Sequence, residues 1–244
     1  MYVGGYDLSC YSRNIGPLMV DYNAVDVTAD MCEAVRGYLP DAPTISPGTL
    51  NGVMDNTATS GLHVTASTWP GTGKVVTVAL GIRAVPAAGD PVFHGQFQLN
   101  SYQALESGGA ITVTAPFGGY DETAIIRHTN PWGLLLHANS AVTAVNDQAG
   151  IDGGAASTGG GYMVYHVLAG DGTATIKVQD AAVNNDGGFA DLSDATTGVI
   201  DCSARSSGIV ALAIGATVRQ YLRWQIVLGT ADTVTFVLSF TRNT

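Results

Sequence analysis

The side chains with the most obvious chemical potential are five histidines and one pair of adjacent acids, and their spacing limits what they can do. Each histidine stands alone on or beside a predicted strand: His63, His94, His128, His137 and His166. Because no two share metal-ligand spacing and none has an acidic neighbour in a known motif, the pattern indicates structural or surface roles. Paired carboxylates can cleave glycosides, but adjacent acids such as Asp121 and Glu122 usually form a solvated turn.

Acidic loop residues in the second half are the other candidate ligands. Calcium prefers carboxylate oxygens, which directs attention to Asp171, Asp180, Asp186, Asp191 and Asp194. These residues lack the regular spacing of an EF-hand loop or a repeat-type site, so the pattern disfavours bound calcium and leaves it as an open alternative. The segment Gly153–Gly161 does not lead from a strand into a helix and is therefore not a nucleotide-binding fingerprint. We expect no enzymatic activity and no cofactor.

The cysteines and the hydropathy pattern narrow the class of protein further. Cys10, Cys32 and Cys202 are far apart and form no CxxC pair, which predicts buried free thiols rather than a disulfide framework or a zinc site. No apolar run approaches the roughly 18 residues that a membrane span needs. The first residues show no basic segment followed by an apolar core, so we also expect no signal peptide.

Charge is scarce and mostly negative. Only 12% of the 244 residues are charged, whereas 46% are hydrophobic. Such a composition fits a chain that buries much of its outside against copies of itself, although a secreted or low-complexity β protein would share it. Twenty acidic residues stand against ten basic ones, and no basic cluster exists. These counts disfavour tight nucleic-acid binding, whereas they are compatible with an acidic surface past which nucleic acid slides.

The elements that must position these side chains are strands. The runs Tyr162–Ala169 and Thr173–Asp180 flank Gly170-Asp171-Gly172, and the second run alternates between apolar and polar side chains. This pattern predicts a hairpin with one buried face, because glycine tolerates the positive φ of a tight turn. A single hairpin is marginal in water, so further strands must cover it. We therefore predict an all-β protein.

The remaining chain supplies such strands in two groups. In the first half we predict strands at about Leu62–Thr68, Lys74–Val85, Val92–Ala104 and Ile111–Ala115, with one short helix at Ala29–Gly37. In the second half, Gln220–Leu228 and Thr233–Phe240 alternate in the same way. A turn-rich boundary near Phe117–Gly133 divides the chain into a β domain at residues 1–128 and a β-sandwich module at residues 129–244.

The order of strands in the first half resembles the major tail proteins, or tail tube proteins, of long-tailed bacteriophages. The resemblance rests on loose strand patterns: Asp7-Leu8-Ser9, Val25-Asp26-Val27-Thr28, Arg36-Gly37-Tyr38-Leu39-Pro40, Asn51-Gly52-Val53-Met54-Asp55 and the F-x-G-x-F segment Phe93–Phe97. The second half is similar to the jelly-roll or immunoglobulin-like module that some of these proteins have. The segment Asp41–Gly48 departs from the usual compact Pro-Gly turn.

The resemblance implies a virion structural protein that is made in the host cytoplasm and located in the phage tail. Six copies would form a ring whose strands close into one β-barrel, and rings would stack into a hollow tube. The partners implied are the protein itself, other tail proteins at the tube ends, and DNA that passes transiently without tight binding. Residues 1–128 would form the ring and the lumen, and the second module would lie outside.

Two groups of residues follow as candidates for this function. The assembly strands would use Val76, Val78, Leu80, Phe93, Phe97 and Leu99. The lumen, which should repel phosphate, would be lined by small polar residues and by carboxylates chosen among Asp21, Asp26, Asp90, Glu106 and Asp121.

Three alternatives stay open from the sequence. One is a carbohydrate-binding β protein that uses an exposed aromatic residue such as Trp69 or Trp132. The second is a capsid-decorating protein built on the same jelly roll. The third is a glycosidase that uses acidic loop residues.

Overall fold

The computed structural model describes residues 1–22, 24–26, 38–40, 43–81, 85–119, 130–144 and 148–243. The prediction of an all-β fold is confirmed, because the described residues form β-strands with one short α-helix, α1 (Leu62–Ala66), and one 3-10 turn, Asp186–Gly188. The helix predicted at Ala29–Gly37 lies outside the described residues. No helix in the described ranges is long and apolar enough to cross a membrane.

The first half forms strands β1 to β12 around the helix. Their bounds are β1 Tyr2–Val3, β2 Tyr6–Asp7, β3 Ser12–Gly16, β4 Met19–Asp21, β5 Ala24–Asp26, β6 Tyr38–Pro40, β7 Thr44–Ser46, β8 Thr49–Val53, β9 Gly73–Ala79, β10 Pro91–Leu99, β11 Gln103–Ser107 and β12 Ala110–Gly119. Helix α1 lies between β8 and β9.

The second half forms strands β13 to β21. Their bounds are β13 Trp132–Val142, β14 Ile151–Asp152, β15 Gly161–Gly170, β16 Thr173–Ala181, β17 Ala190–Thr196, β18 Ile200–Asp201, β19 Ser206–Ala211, β20 Tyr221–Leu228 and β21 Val234–Arg242.

One long antiparallel sheet joins the two halves. Its order is β19-β15-β21-β13-β10-β12-β8-β3, with β11 beside β12 and with β9, β1 and β2 continuing from β10. A second sheet, β14-β20-β16-β17 with β18 beside β16, belongs wholly to the second half. The pairs β4–β7 and β5–β6 form two small separate sheets. The second half is therefore a sandwich, as predicted, in which β16 and β20 face strands of the long sheet.

The link Gly170-Asp171-Gly172 is not a hairpin turn, and this prediction was wrong. Strand β15 pairs with β19 on one side and with β21 on the other, so no edge is left for β16, which pairs with β17, β18 and β20 in the second sheet. The link instead moves the chain from one sheet to the other. Gly172 has φ +57°, and a Cβ there would lie 2.5 Å from the carbonyl carbon of Thr230. The alternation predicted for the following strand is confirmed, since Ala174, Ile176 and Val178 are buried.

The strand predicted at about Leu62–Thr68 is also wrong, because residues Leu62–Ala66 form α1. The β-branched residues Val64 and Thr65 favour a strand locally. However, the buried residues Leu62, Thr65 and Ala66 are spaced by three and four positions, which is the period of a helix face. Burial of that face in the core overrides the local propensity.

The buried side chains form two large cores and two smaller clusters. The first core contains only residues of the first half, such as Leu50, Phe93 and Phe97. The second core contains only residues of the second half, such as Trp224 and Phe236. Each half therefore has a core of its own.

The two smaller clusters, which we together call the shared core, each combine residues of both halves. The shared core contains Tyr2, Val75, Val92, Leu135, Tyr162, Val164, Leu168 and Val237. In addition, β10 pairs with β13 through Val92 and Gly133, so the backbone ladder crosses the proposed boundary. The division into residues 1–128 and 129–244 stays a prediction.

Candidate assembly surface

The residues predicted for the assembly strands lie mostly inside the chain's own first core. Val76, Val78, Phe93, Phe97 and Leu99 are buried there, and the rings of Phe93 and Phe97 stack with centroids 6.0 Å apart. Leu80 differs, with 38% of its surface exposed. Strands β9 and β10 also have paired neighbours on both sides. These side chains stabilise the single chain, and their role in assembly stays a prediction.

The predicted lumen residues that the structure describes lie on separate segments of the chain that do not pair with one another. Asp21 is exposed on β4, where it pairs with Thr44, and Glu106 is exposed on β11, where it pairs with Ile111. Asp90 is buried, and its Oδ2 accepts a hydrogen bond from the backbone N–H of Ala87 at 2.8 Å.

The remaining two lumen candidates cannot be placed. Asp26 belongs to β5, but its side chain lies outside the described residues, as does the whole of Asp121. Which of the candidate carboxylates face a lumen stays a prediction.

A different feature of the first half presents a surface suited to assembly. Strands β11, β12, β8 and β3 lie side by side in this order, and we call them the assembly sheet. Within the described residues, β11 pairs only with β12, and β3 pairs only with β8. The assembly sheet therefore ends in two open edges, each with a row of backbone donors and acceptors facing outwards.

The two faces of the assembly sheet differ in chemistry. Val113, Ala115 and Leu50 point into the first core. On the opposite face, the register places four polar side chains in one row across all four strands: Gln103, Thr114, Asn51 and Asn14. We call these residues the polar row.

Hydrogen bonds connect the polar row. The Thr114 hydroxyl donates to Asn51 Oδ1 at 3.2 Å, and Asn51 Nδ2 donates to Asn14 Oδ1 at 2.8 Å. The other paired residues on this face are uncharged as well: Thr49, Val53, Leu105, Thr112 and Pro116. The face thus presents hydroxyl, amide and apolar groups, including the exposed Leu105, without a charge at any of its paired positions.

Two buried histidines, whose rings contact Tyr2 and Tyr162 of the shared core, confirm the structural role that their isolation indicates. The ring nitrogens of His94 bond the hydroxyls of Ser239 and Thr241 on β21. Gly5 N–H donates to His166 Nδ1 at 3.4 Å, so Nε2 bears the proton and donates to the Thr77 hydroxyl at 2.9 Å. Burial lowers the pKa of each imidazole to about 3. Both rings are therefore neutral cross-links between the halves at neutral pH.

The other histidines occupy separate positions. His137 lies against Trp224 and Phe236 in the second core, and burial lowers its pKa to about 4. His63 belongs to α1, and its Nδ1 bonds the Tyr102 hydroxyl at 3.0 Å. His128 lies outside the described residues. Sequence reasoning missed the shared role of His94 and His166, although the period of two on β10 signals it by placing His94 opposite to Phe93 and Gly95.

Protein groups, rather than a metal site, surround most of the acidic loop residues. Arg219 forms a two-nitrogen contact with Asp180 Oδ1, at 2.6 and 2.9 Å, and Lys177 bonds Asp191 at 2.7 Å. Asp171 Oδ1 accepts from the backbone N–H groups of Asp232 and Thr233. Among the residues described, no three His, Cys, Asp or Glu side chains are grouped so as to hold a metal ion.

The cysteines and tryptophans differ in part from expectation. Cys202 is a buried free thiol as predicted, whereas Cys10 is exposed and Cys32 lies outside the described residues. Trp69 is buried in the first core, so it cannot serve as an exposed carbohydrate platform. Trp132 is 41% exposed and meets the Phe93 ring edge-on at 5.0 Å.

Comparison with known proteins identifies no family. No protein-family model matches the chain. No curated protein matches it either. Among solved structures, the chain is weakly similar to the Dit protein (gp 19.1) of phage SPP1, described as a paradigm of hub adsorption apparatus in phages that infect Gram-positive bacteria. That similarity has a TM-score of 0.30 at 11% identity, over 99% of this chain and 100% of the other. A similarity of that size supports no argument about function.

Proposed function

We propose that this chain is a structural protein of a bacteriophage tail, whose copies pair edge to edge into rings that stack into a hollow tube. The observation that supports this most directly is the assembly sheet with its two open edges. Its four strands alternate in direction, so β11 and β3 run antiparallel to each other. When β3 of one copy meets β11 of the next copy, the new pair is antiparallel like every other pair in the sheet.

Such pairing would remove the liability that open edges create. An unpaired strand edge recruits other chains without control, and closure into a barrel removes both edges. Head-to-tail contacts of this kind close into rings or continue into filaments, whereas a two-fold contact stops at a dimer. In a tube of stacked rings, the contacts within each ring close, and the contacts between rings continue along the tube.

A six-membered ring has suitable dimensions for a bore. Six copies of the four-stranded sheet make twenty-four strands. With strands about 4.8 Å apart and tilted by about 40°, the resulting barrel is roughly 48 Å across at the backbone. After side chains are added, this leaves an aqueous channel wide enough for a nucleic-acid duplex. The six-fold number itself comes from the resemblance to tail tube proteins.

The chemistry of the exposed face favours passage of DNA over binding. Proteins bind duplex DNA tightly by placing several cations on phosphates. The paired positions of the exposed face, including the polar row, are uncharged, and residues 1–128 contain eleven acidic against five basic residues. We propose that this face lines the bore.

Microscopy of the purified full-length chain tests the proposal. We expect rings or tubes by negative-stain electron microscopy, together with a high-mass peak in size-exclusion chromatography that grows with protein concentration. A chain that stays monomeric at all concentrations would contradict the proposal. The competing carbohydrate-binding function rests on exposed Trp132. It predicts a monomer that binds a glycan and loses that binding on Trp132→Ala.

A further inference from the structure

The two open edges of the assembly sheet bear opposite charges. Strand β3 reads Ser-Arg-Asn-Ile-Gly, and strand β11 reads Gln-Ala-Leu-Glu-Ser. Arg13 is thus the single charged residue of β3, and Glu106 is the single charged residue of β11. Both residues are exposed.

Open edges of identical chains can pair in two ways. In a two-fold contact, β11 meets β11 or β3 meets β3, and two like charges share one short ladder. In a head-to-tail contact, β3 of one copy meets β11 of the next copy, and the charges are opposite. Like charges across a strand pair destabilise it, and opposite charges stabilise it. The head-to-tail contact repeats around a ring in which every copy has the same orientation.

We infer that Arg13 and Glu106 select head-to-tail pairing, so that the partner of each open edge is the opposite edge of a second copy of this chain. The inference rests on the proposed function and adds to it the residues that decide between a ring and a dimer. Edge charges ordinarily prevent pairing altogether. Here the charges of Arg13 and Glu106 disfavour only the contacts in which β3 pairs with β3 or β11 pairs with β11.

The register of the assembly sheet is compatible with a direct contact between the two side chains. If the polar row continued straight into the next copy, Asn14 would face Gln103. A barrel closes only when its strands are staggered. A stagger of two residues places Asn14 opposite Leu105. It also brings Arg13, which lies at the irregularity between Ser12 and Asn14 in β3, beside Glu106. Because side chains alternate with a period of two, this shift also keeps the uncharged face on one side of the wall.

Charge reversal in the full-length chain tests the inference. We would compare wild type with Arg13→Glu, with Glu106→Arg and with the variant that has both changes. Each single reversal should raise the concentration for half-maximal assembly by about tenfold, because repulsion then replaces attraction at every joint. The double variant should return to within about threefold of wild type. Asp232→Arg, at an exposed turn of the second half, is the matched control and should have no effect.

Two further measurements distinguish an assembly defect caused by charge repulsion from one caused by misfolding. Raising the salt to 1 M shortens the Debye length to about 3 Å, so the single variants should approach wild type there. Thermal melting by circular dichroism checks that each variant is folded. If a charge-reversal variant does not fold, the alanine variant at the same position, Arg13→Ala or Glu106→Ala, is measured in its place.

The outcomes distinguish the inference from the proposed function. Wild-type rings together with single reversals that assemble normally would refute the charge selection and leave the function standing. Rings that assemble normally from the single reversals but not from the double variant would refute it as well. A wild-type chain that never assembles would refute both.

Discussion

At the scale of single residues, we expect the stability of the fold to depend on pH through two buried histidines that contact the shared core. His94 and His166 are buried, bond hydroxyl and backbone groups, and have a pKa of about 3 in the folded chain. Their rings contact those of Tyr2 and Tyr162, and the Met1 ammonium group acts on His166; none of these three groups is an anion at neutral pH. A proton on either imidazole would therefore create a buried charge without a counter-charge.

The first prediction concerns acid stability. An unfolded histidine titrates near 6.5, so a folded pKa of about 3 means that the unfolded chain binds the proton more tightly. The stability that each neutral ring contributes is complete above pH 6.5 and is lost as the pH falls towards 3. By pH 5 each histidine should cost about 1–2 kcal/mol of unfolding free energy. Denaturant titrations of wild type at pH 7 and pH 5 measure this loss.

Substitutions identify the source of that pH dependence. His94→Gln and His166→Gln should each be less stable at neutral pH but lose less on acidification, because the titrating group is gone. His63→Gln is the matched control, since His63 belongs to α1 and has no contact with the shared core's Tyr2 or Tyr162 rings. If both glutamine variants keep the full acid sensitivity of wild type, the carboxylates rather than the shared core cause it.

At the scale of elements, the sequence predicted strands better than it predicted their partners. The alternation in β16 was visible because Ala174, Ile176 and Val178 face one core while the other side is polar. Strand β15 is buried on both faces, so its pattern does not show which strand lies beside it. The short connection to β16 favoured a hairpin, but the choice of sheet depends on β19 and β21, which are distant in sequence.

The candidate assembly surface could also be predicted only in outline, because it depends on which strands pair with one another. Apolar strand residues such as Val78 and Phe97 stand out in the sequence, yet they are required by the chain's own core. The polar row has no signal in any one strand, because it exists only when four separate strands are placed in register. Surfaces made by tertiary pairing are therefore the part that local patterns cannot reveal.

The second prediction concerns the independence of the second half. A fragment of residues 129–244 retains the second core entirely, so we expect it to be soluble and to melt cooperatively. It loses the pairing of β10 with β13 and exposes Tyr162, Val164 and Leu168 of the shared core. Calorimetry should therefore show a lower melting temperature than for the full chain. An unfolded fragment would show that both halves form one folding unit.

At the scale of the whole molecule, the chain combines a compact sandwich with a sheet that is left open. Each sheet of the second half buries its inner face in the second core, and the assembly sheet buries one face in the first core and has β11 and β3 as edge strands within the described residues. The low charge of the chain fits this division, since a surface covered by other copies needs few charges for solubility. The proposed tube would use the first half for its wall and the second half for its outside.

The last prediction asks whether the uncharged face lines the bore. Asn51→Lys places a cation in the middle of the polar row, where six copies per ring and many stacked rings would concentrate it. Assembled tubes of this variant should retain double-stranded DNA in a co-sedimentation assay, with retention that falls steeply as salt rises. Wild-type tubes should retain none. Thr175→Lys, on the outer face of the second sheet, is the matched control and should bind DNA less, because an open surface cannot surround the duplex. DNA retained by Thr175→Lys but not by Asn51→Lys would place the polar row outside the bore, and a density map whose lumen is lined by side chains other than those of this uncharged face would do the same.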